Sequence, residues 1–196
     1  MTDSLRDRLS EGTINRRRVA IAAALGCDAA ISTGIEPAAL DDHYRTRIKQ
    51  IAAYLSQRQC LAFGFECAGR ALRVWEDMFP ADLRPRRAVE AARAWLTDND
   101  ARADFNALCY AAEQSHIDVD YPELTEDVDP GLVAAMEATS ACSHIALAVQ
   151  YAIDHEEHSK MCGVTAWIAR FGVKSAADRQ RETELQTSRL VALLLE

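Results

Sequence analysis

Hydrophobic positions between Gln57 and Phe79 recur at helical spacing twice over. Leu61, Phe65, Ala68, Leu72, Trp75 and Phe79 form one stripe at 100° per residue, and Cys60, Phe63, Cys67, Ala71, Val74 and Met78 form a second beside it. Glu66, Arg70, Arg73, Glu76 and Asp77 share the remaining arc. An apolar arc wider than half the circumference predicts a central helix packed on two sides. Gly64 and Gly69, with the small Cys60 and Cys67, predict close approach of neighbouring helices, which offsets a propensity cost of up to ~1 kcal/mol for each glycine. Pro80 predicts the end of this helix.

A second helix is predicted from about Leu83 to Pro85 onward, with Asp82 as N-cap and proline in the first turn, where its missing N–H has no intrahelical partner. Ala88, Val89, Ala91, Ala92, Trp95 and Leu96 make its buried face. Arg86, Glu90 and Arg93 fall together on the other side as a charge ladder. Two readings of the arginines stand side by side: solvated structural charges, or an anion- or partner-binding patch of Arg84, Arg86, Arg87 and Arg93 at the helix start, where the macrodipole also favours negative charge.

Elsewhere the 3.6-residue period predicts helices over about Ile14 to Ser32, from Leu40 through Leu55, over Ala101 to Ser115, and over Leu132 to about His158. A short apolar helix from Met161 to Phe171 is closed by Gly172. From about Ser175 a final amphipathic helix would dock through Leu185, Leu190, Leu193 and Leu194, as a core or homodimer contact. Arg16-Arg17-Arg18 before an apolar run and Cys27 has some features of an export signal, but Leu25 stands where a small residue is preferred, so a basic-capped core helix is expected. Only 8 Gly and 5 Pro in 196 residues, and no alternating β-branched runs, predict an all-α fold. We expect a compact single-domain bundle of about seven to nine helices.

The run from Glu66 to Leu96 resembles the immunity-protein-5-like domain, an Ala-rich helical family described as immunity proteins of bacterial polymorphic-toxin systems. The resemblance is densest over Asp82-Leu83-Arg84-Pro85-Arg86-Arg87-Ala88-Val89-Glu90-Ala91-Ala92-Arg93-Ala94-Trp95, which follows a cysteine-bearing helix as in the family. Fainter echoes are the Ala-rich helix with His144 and the terminal Arg189-Leu190. It implies an immunity-like core over 57–196, a divergent helical region over 1–56, and a role in binding a cognate toxin.

A formal charge of −8 argues against nucleic-acid binding and suits a basic partner. Between Ile117 and Gly131 lie six acids, Asp118, Asp120, Glu123, Glu126, Asp127 and Asp129, and no base. This stretch reads as an exposed loop and as a candidate contact for a basic toxin; it lacks the ligand order of an EF-hand. Six cysteines stand singly on apolar faces, as expected of reduced thiols in a cytoplasmic protein. No uninterrupted apolar run is read as a membrane span.

Catalytic motifs are not found, and neither a metal nor another cofactor is expected. His144 and His155 are about 16 Å apart in helix rise and cannot share an ion, and His155-Glu156-Glu157-His158 is one residue short of the zinc-protease spacing. The leading expectation is a non-enzymatic toxin-binding protein. The alternatives are a helical metal-dependent enzyme, or a small-ligand self-resistance protein, using His144, His155 or His158 in the interior.

Overall fold

The computed structural model describes residues 48, 55–98, 102–119, 129–154, 158–172 and 175–195. Among them six α-helices are formed and no strand: α1 Gln57–Met78, α2 Arg84–Asp98, α3 Phe105–Ile117, α4 Pro130–Ile153, α5 His158–Ala169 and α6 Ala176–Leu195. The all-α expectation is met, with fewer helices among the described residues than the seven to nine expected. The helices expected over 14–32 and 40–55 lie outside the described residues, apart from Ile48 and Leu55, both buried in the common core.

Local chemistry sets the helix ends. Ser56 and Gln59 form a reciprocal capping box on α1: the Ser56 hydroxyl accepts from the Gln59 N–H, and the Gln59 side chain accepts from the Ser56 N–H at 3.0 Å. Phe79 caps the other end, directly before Pro80, as predicted. Asp104 accepts from the Ala107 N–H at the start of α3. Asp129 accepts from the Gly131 N–H, with Pro130 at the first turn of α4. The expected long helix to about His158 is two: Asp154 caps α4 and α5 begins at His158.

Contacts between side chains give the directions. Met78 lies beside Gly131, Gly64 beside Ile145, and the Gln57 amide donates to the Ala152 carbonyl at 3.0 Å, so α1 and α4 run antiparallel. Arg93 lies over the Phe65 ring while Arg86 reaches Glu76, so α2 returns along α1. The pair His116–Thr139 sets α3 against α4. Both predicted stripes of α1 are confirmed: Cys60, Leu61, Phe63, Cys67, Ala68, Ala71, Leu72 and Trp75 are buried, with Phe65, Val74, Met78 and Phe79 packed against the core.

The second hub is α4, which touches α1, α2, α3 and α5. Its buried face is mostly alanine, from Ala134 and Ala135 through Ala152. Alanine combines the highest helix propensity with the smallest apolar side chain, so four helices can close on one axis. Its buried hydroxyls are satisfied locally: Thr139 donates to the Met136 carbonyl at 2.8 Å and Ser143 to that of Ser140 at 2.9 Å. The sequence holds no uninterrupted apolar run of spanning length, since Glu137 interrupts α4, yet by length and mean hydropathy this one described helix meets the measure of a span. The 24 residues of α4 are long and apolar enough to cross a membrane, but 61% of the most apolar window is buried inside the bundle, which makes α4 a core helix.

The last helix docks differently from expectation. Leu190 and Leu193 are buried, whereas Leu185 is exposed; the side chain of Leu194 lies outside the described set. Much of the seam is polar. Glu182, almost wholly buried, receives two guanidinium nitrogens of Arg70 at 2.8–3.0 Å and the Gln186 amide at 2.8 Å. Arg189 bonds both oxygens of Glu66 at 3.0 and 3.1 Å, and the Gln59 amide donates to the Leu193 carbonyl at 2.9 Å. The polar arc of α1 is therefore the docking strip for an antiparallel α6.

Candidate functional site

Two stretches that the sequence offered as rival contact surfaces meet at one end of the bundle. There α1 ends, α2 begins, α3 ends and α4 begins. The first turn of α2 carries Arg84, and α3 terminates at Ile117 with Asp118 as its cap. The Arg84 guanidinium lies between two carboxylates, donating to Asp82 at 2.9–3.0 Å and forming an ion pair with Asp118. Asp82 also accepts from the Arg84 backbone N–H at 3.0 Å. Burial pushes the Asp82 carboxyl up, but the hydrogen bonds from Arg84 and from Ser115 outweigh it and hold it below the usual carboxylate range. Hydrogen bonds to Asp82 and Asp118 raise the Arg84 guanidinium still further above neutrality, so it is a fixed charge.

This geometry changes the reading of the arginine face. Arg84 is held by two acids, Arg86 pairs with Glu76 on α1 at 2.6 Å, and Arg93 lies 5.2 Å from the Phe65 ring centroid; Arg87 is exposed. Arg86 thus turns to a neighbouring helix, where the sequence had suggested a ladder with Glu90 and Arg93. The N–H groups of Arg84 and Arg87 are taken by Asp82 and by the Leu83 carbonyl. Asp82 acts one residue before the cap position, which Leu83 occupies. The start of α2 is accordingly a closed ionic clamp that fastens the α1–α2 turn to the end of α3.

Of the acidic candidates, Asp118 and Asp129 are the two fixed ends of the run, one pairing with Arg84 and the other capping α4. Asp120, Glu123, Glu126 and Asp127 lie outside the described residues. Beside the clamp two large apolar side chains are left open to solvent, Leu83 and Ile117, with exposures of 41% and 53%. The sequence reading put Ile117 at the head of the exposed acidic stretch and Leu83 at the start of a helix, and named neither as a contact. The available signal was their position at helix ends, where a repeat has no next turn to bury against.

The interior offers little chemistry. The five described cysteines are free thiols, four of them buried. Burial pushes the Cys67, Cys109 and Cys142 thiols up, and a hydrogen bond with Cys60 together with burial raises Cys162, which disfavours the thiolate needed for nucleophilic attack. His144 lies with Nδ1 2.7 Å from the Ser140 carbonyl on its own helix. The His158 side chain and all of His155 lie outside the described residues. Among the described residues no three His, Cys, Asp or Glu side chains converge as a metal site.

Residues 51–114 match the family model described as Imm-5 like putative immunity protein. The matched segment takes in α1, α2 and most of α3, including the clamp up to Asp82 and Arg84, while α4 to α6 lie beyond it. An immunity-protein match points to a protein partner. No curated protein and no solved structure matches this chain.

Proposed function

We propose that this chain is a bacterial immunity protein that binds a cognate toxin and neutralises it stoichiometrically, without catalysis, in the cytoplasm. The observation that carries the reading is the family match over residues 51–114. Supporting it, the acid-rich sequence from Asp118 to Asp129 starts at an ion pair with Arg84 and finishes at the cap of α4, and the chain carries a charge of −8. A surface of that sign attracts a basic partner and accelerates encounter at low salt.

The test is co-expression with the toxin domain encoded beside the chain's own gene. The expected result is growth protection, and a purified complex in which inhibition of the toxin is complete at one chain per toxin. Inhibition completed by far fewer chains than toxins would indicate turnover and overturn the non-catalytic reading. Absence of protection would overturn the reading as a whole. Reversal of Asp127 should slow association and reduce its salt dependence. Reversal of Asp129 is a poorer probe, since it also removes the α4 cap, at a cost of about 1 kcal/mol.

A further inference from the structure

We infer that Cys60 on α1 and Cys162 on α5 are a redox latch: a peroxide-type oxidant closes them to a disulfide that fastens α5 to α1. The inference stands apart from the immunity reading and concerns the bundle itself.

The placement comes from how the two helices meet. Cys60, Gly64 and Cys67 follow one another at spacings of four and three, along one face of α1. Helix α5 rests on that face at its glycine, where an added Cβ would lie 3.5 Å from both Cα and Cβ of Cys162. The absence of a side chain at Gly64 therefore lets the Cys162 backbone settle beside Cys60, one helical turn away. The two thiols are hydrogen-bonded to each other. The other described cysteines have different partners. Cys67 is the nearest competitor, but its sulfur accepts from Arg70 Nη2 at 3.5 Å, on the α6 seam. Cys142 donates to the Ala68 carbonyl at 3.9 Å, and Cys109 on α3 lies beside Ser143.

One peroxide per pair balances the reaction. The first thiol, once ionised, attacks the O–O bond and becomes a sulfenic acid, with release of water. The second thiol then attacks that sulfur, so that the S–S bond forms as the S–O bond breaks and a second water leaves. Two protons and two electrons pass from the thiols to the peroxide.

The closed bundle guards the pair. Both residues are wholly buried, and burial disfavours the thiolate of Cys162. Setting the latch therefore passes through a partial opening of the α1–α5 seam. Once set, it joins α1, inside the matched residues 51–114, to α5, which lies beyond them. The loop it closes is about 100 residues long, and cross-linking a loop of that length removes much of the freedom of the unfolded chain.

The experiment exposes the reduced full chain to hydrogen peroxide, blocks the remaining thiols by alkylation, and maps links by mass spectrometry after cleavage at glutamate, which at Glu66 separates Cys60 from Cys67. The expected product carries a Cys60–Cys162 link, with an unfolding midpoint raised by roughly 5–15 °C over the reduced chain and restored by dithiothreitol. Cys60→Ala and Cys162→Ala abolish the rise, whereas Cys67→Ala keeps it. If an alanine variant does not fold, the link map and midpoint of the unaltered chain decide. A chain that stays reduced, sulfinic acid at either position without a link, a link made mainly by Cys67, or a link that leaves the midpoint unmoved overturns the inference.

Discussion

Gly64 and Gly69 sit five residues apart on α1 in opposite surroundings. A Cβ on Gly64 would lie 3.0 Å from the Ile145 methyl and 3.5 Å from the Cys162 backbone, whereas one on Gly69 would meet nothing within 4 Å. The sequence reading gave both the same role; only Gly64 has it. The difference was available from the period, because five residues rotate the chain by about 140°, carrying Gly69 off the Cys60–Gly64–Cys67 face. Gly69→Ala should therefore stabilise the fold by about 0.5–1 kcal/mol through helix propensity alone. Gly64→Val should destabilise it by roughly 1–3 kcal/mol, as overpacking does. Thermal or denaturant unfolding of the two variants checks both signs. A similar close approach holds at Gly172, predicted as a helix stop, where an added Cβ would come within 3.3 Å of the Ala138 backbone and 3.2 Å of the Ala71 side chain.

The docking of α6 was the element least legible from the chain. Its leucines were visible, whereas Glu182 and Gln186 in RETELQTSRL, which no sequence pattern singles out, are buried. Hydrophobic patterning cannot detect a seam made by complementary charges, because each helix alone looks conventionally polar there. The pairing appears only when two helices are compared: Glu66 and Arg70 on α1 meet Arg189 and Glu182 on α6 in reversed order, as an antiparallel contact requires. Glu182→Ala should take from Arg70 the carboxylate it pairs with and from Gln186 one of its acceptors, leaving the bond to the Ala166 carbonyl, and cost roughly 1–3 kcal/mol. Native-state hydrogen exchange should show the loss concentrated in α6, while α1 and α4 keep most of their protection. Uniform loss across all helices would mean that α6 unfolds only with the whole bundle. At the Arg84 clamp the situation was reversed: the acidic run and the arginines were legible as charge, but their mutual pairing was not, since residues 84 and 118 are brought together only by the α2–α3 hairpin.

For the molecule as a whole, pH tests how the ionisable groups are held. Burial lowers the His116 imidazole, so the folded state favours its neutral form; that contribution to stability is fully present above the unfolded value near 6.5 and is lost as pH falls through the lower folded value. Asp82 is likewise depressed, but as an acid, and its contribution goes only below about pH 4. Glu137 opposes them: burial raises it, so its contribution is present below the unfolded value and lost as pH rises through the folded one. Acid titration of denaturant midpoints should show stability declining below about pH 6.5, and His116→Gln should flatten that first segment without altering the Asp82 segment. The all-α class and the two-sided packing of α1 were plain from periodicity, whereas the importance of α4 was not, because alanine contributes so little to a hydrophobic pattern. That same helix has a consequence during synthesis. Of the four helices that enclose α4, three precede it in the chain. The segment most easily mistaken by the translocation machinery for membrane cargo thus leaves the ribosome after most of its shelter has been made, and a transcript broken between α4 and α5 would release it with one wall missing.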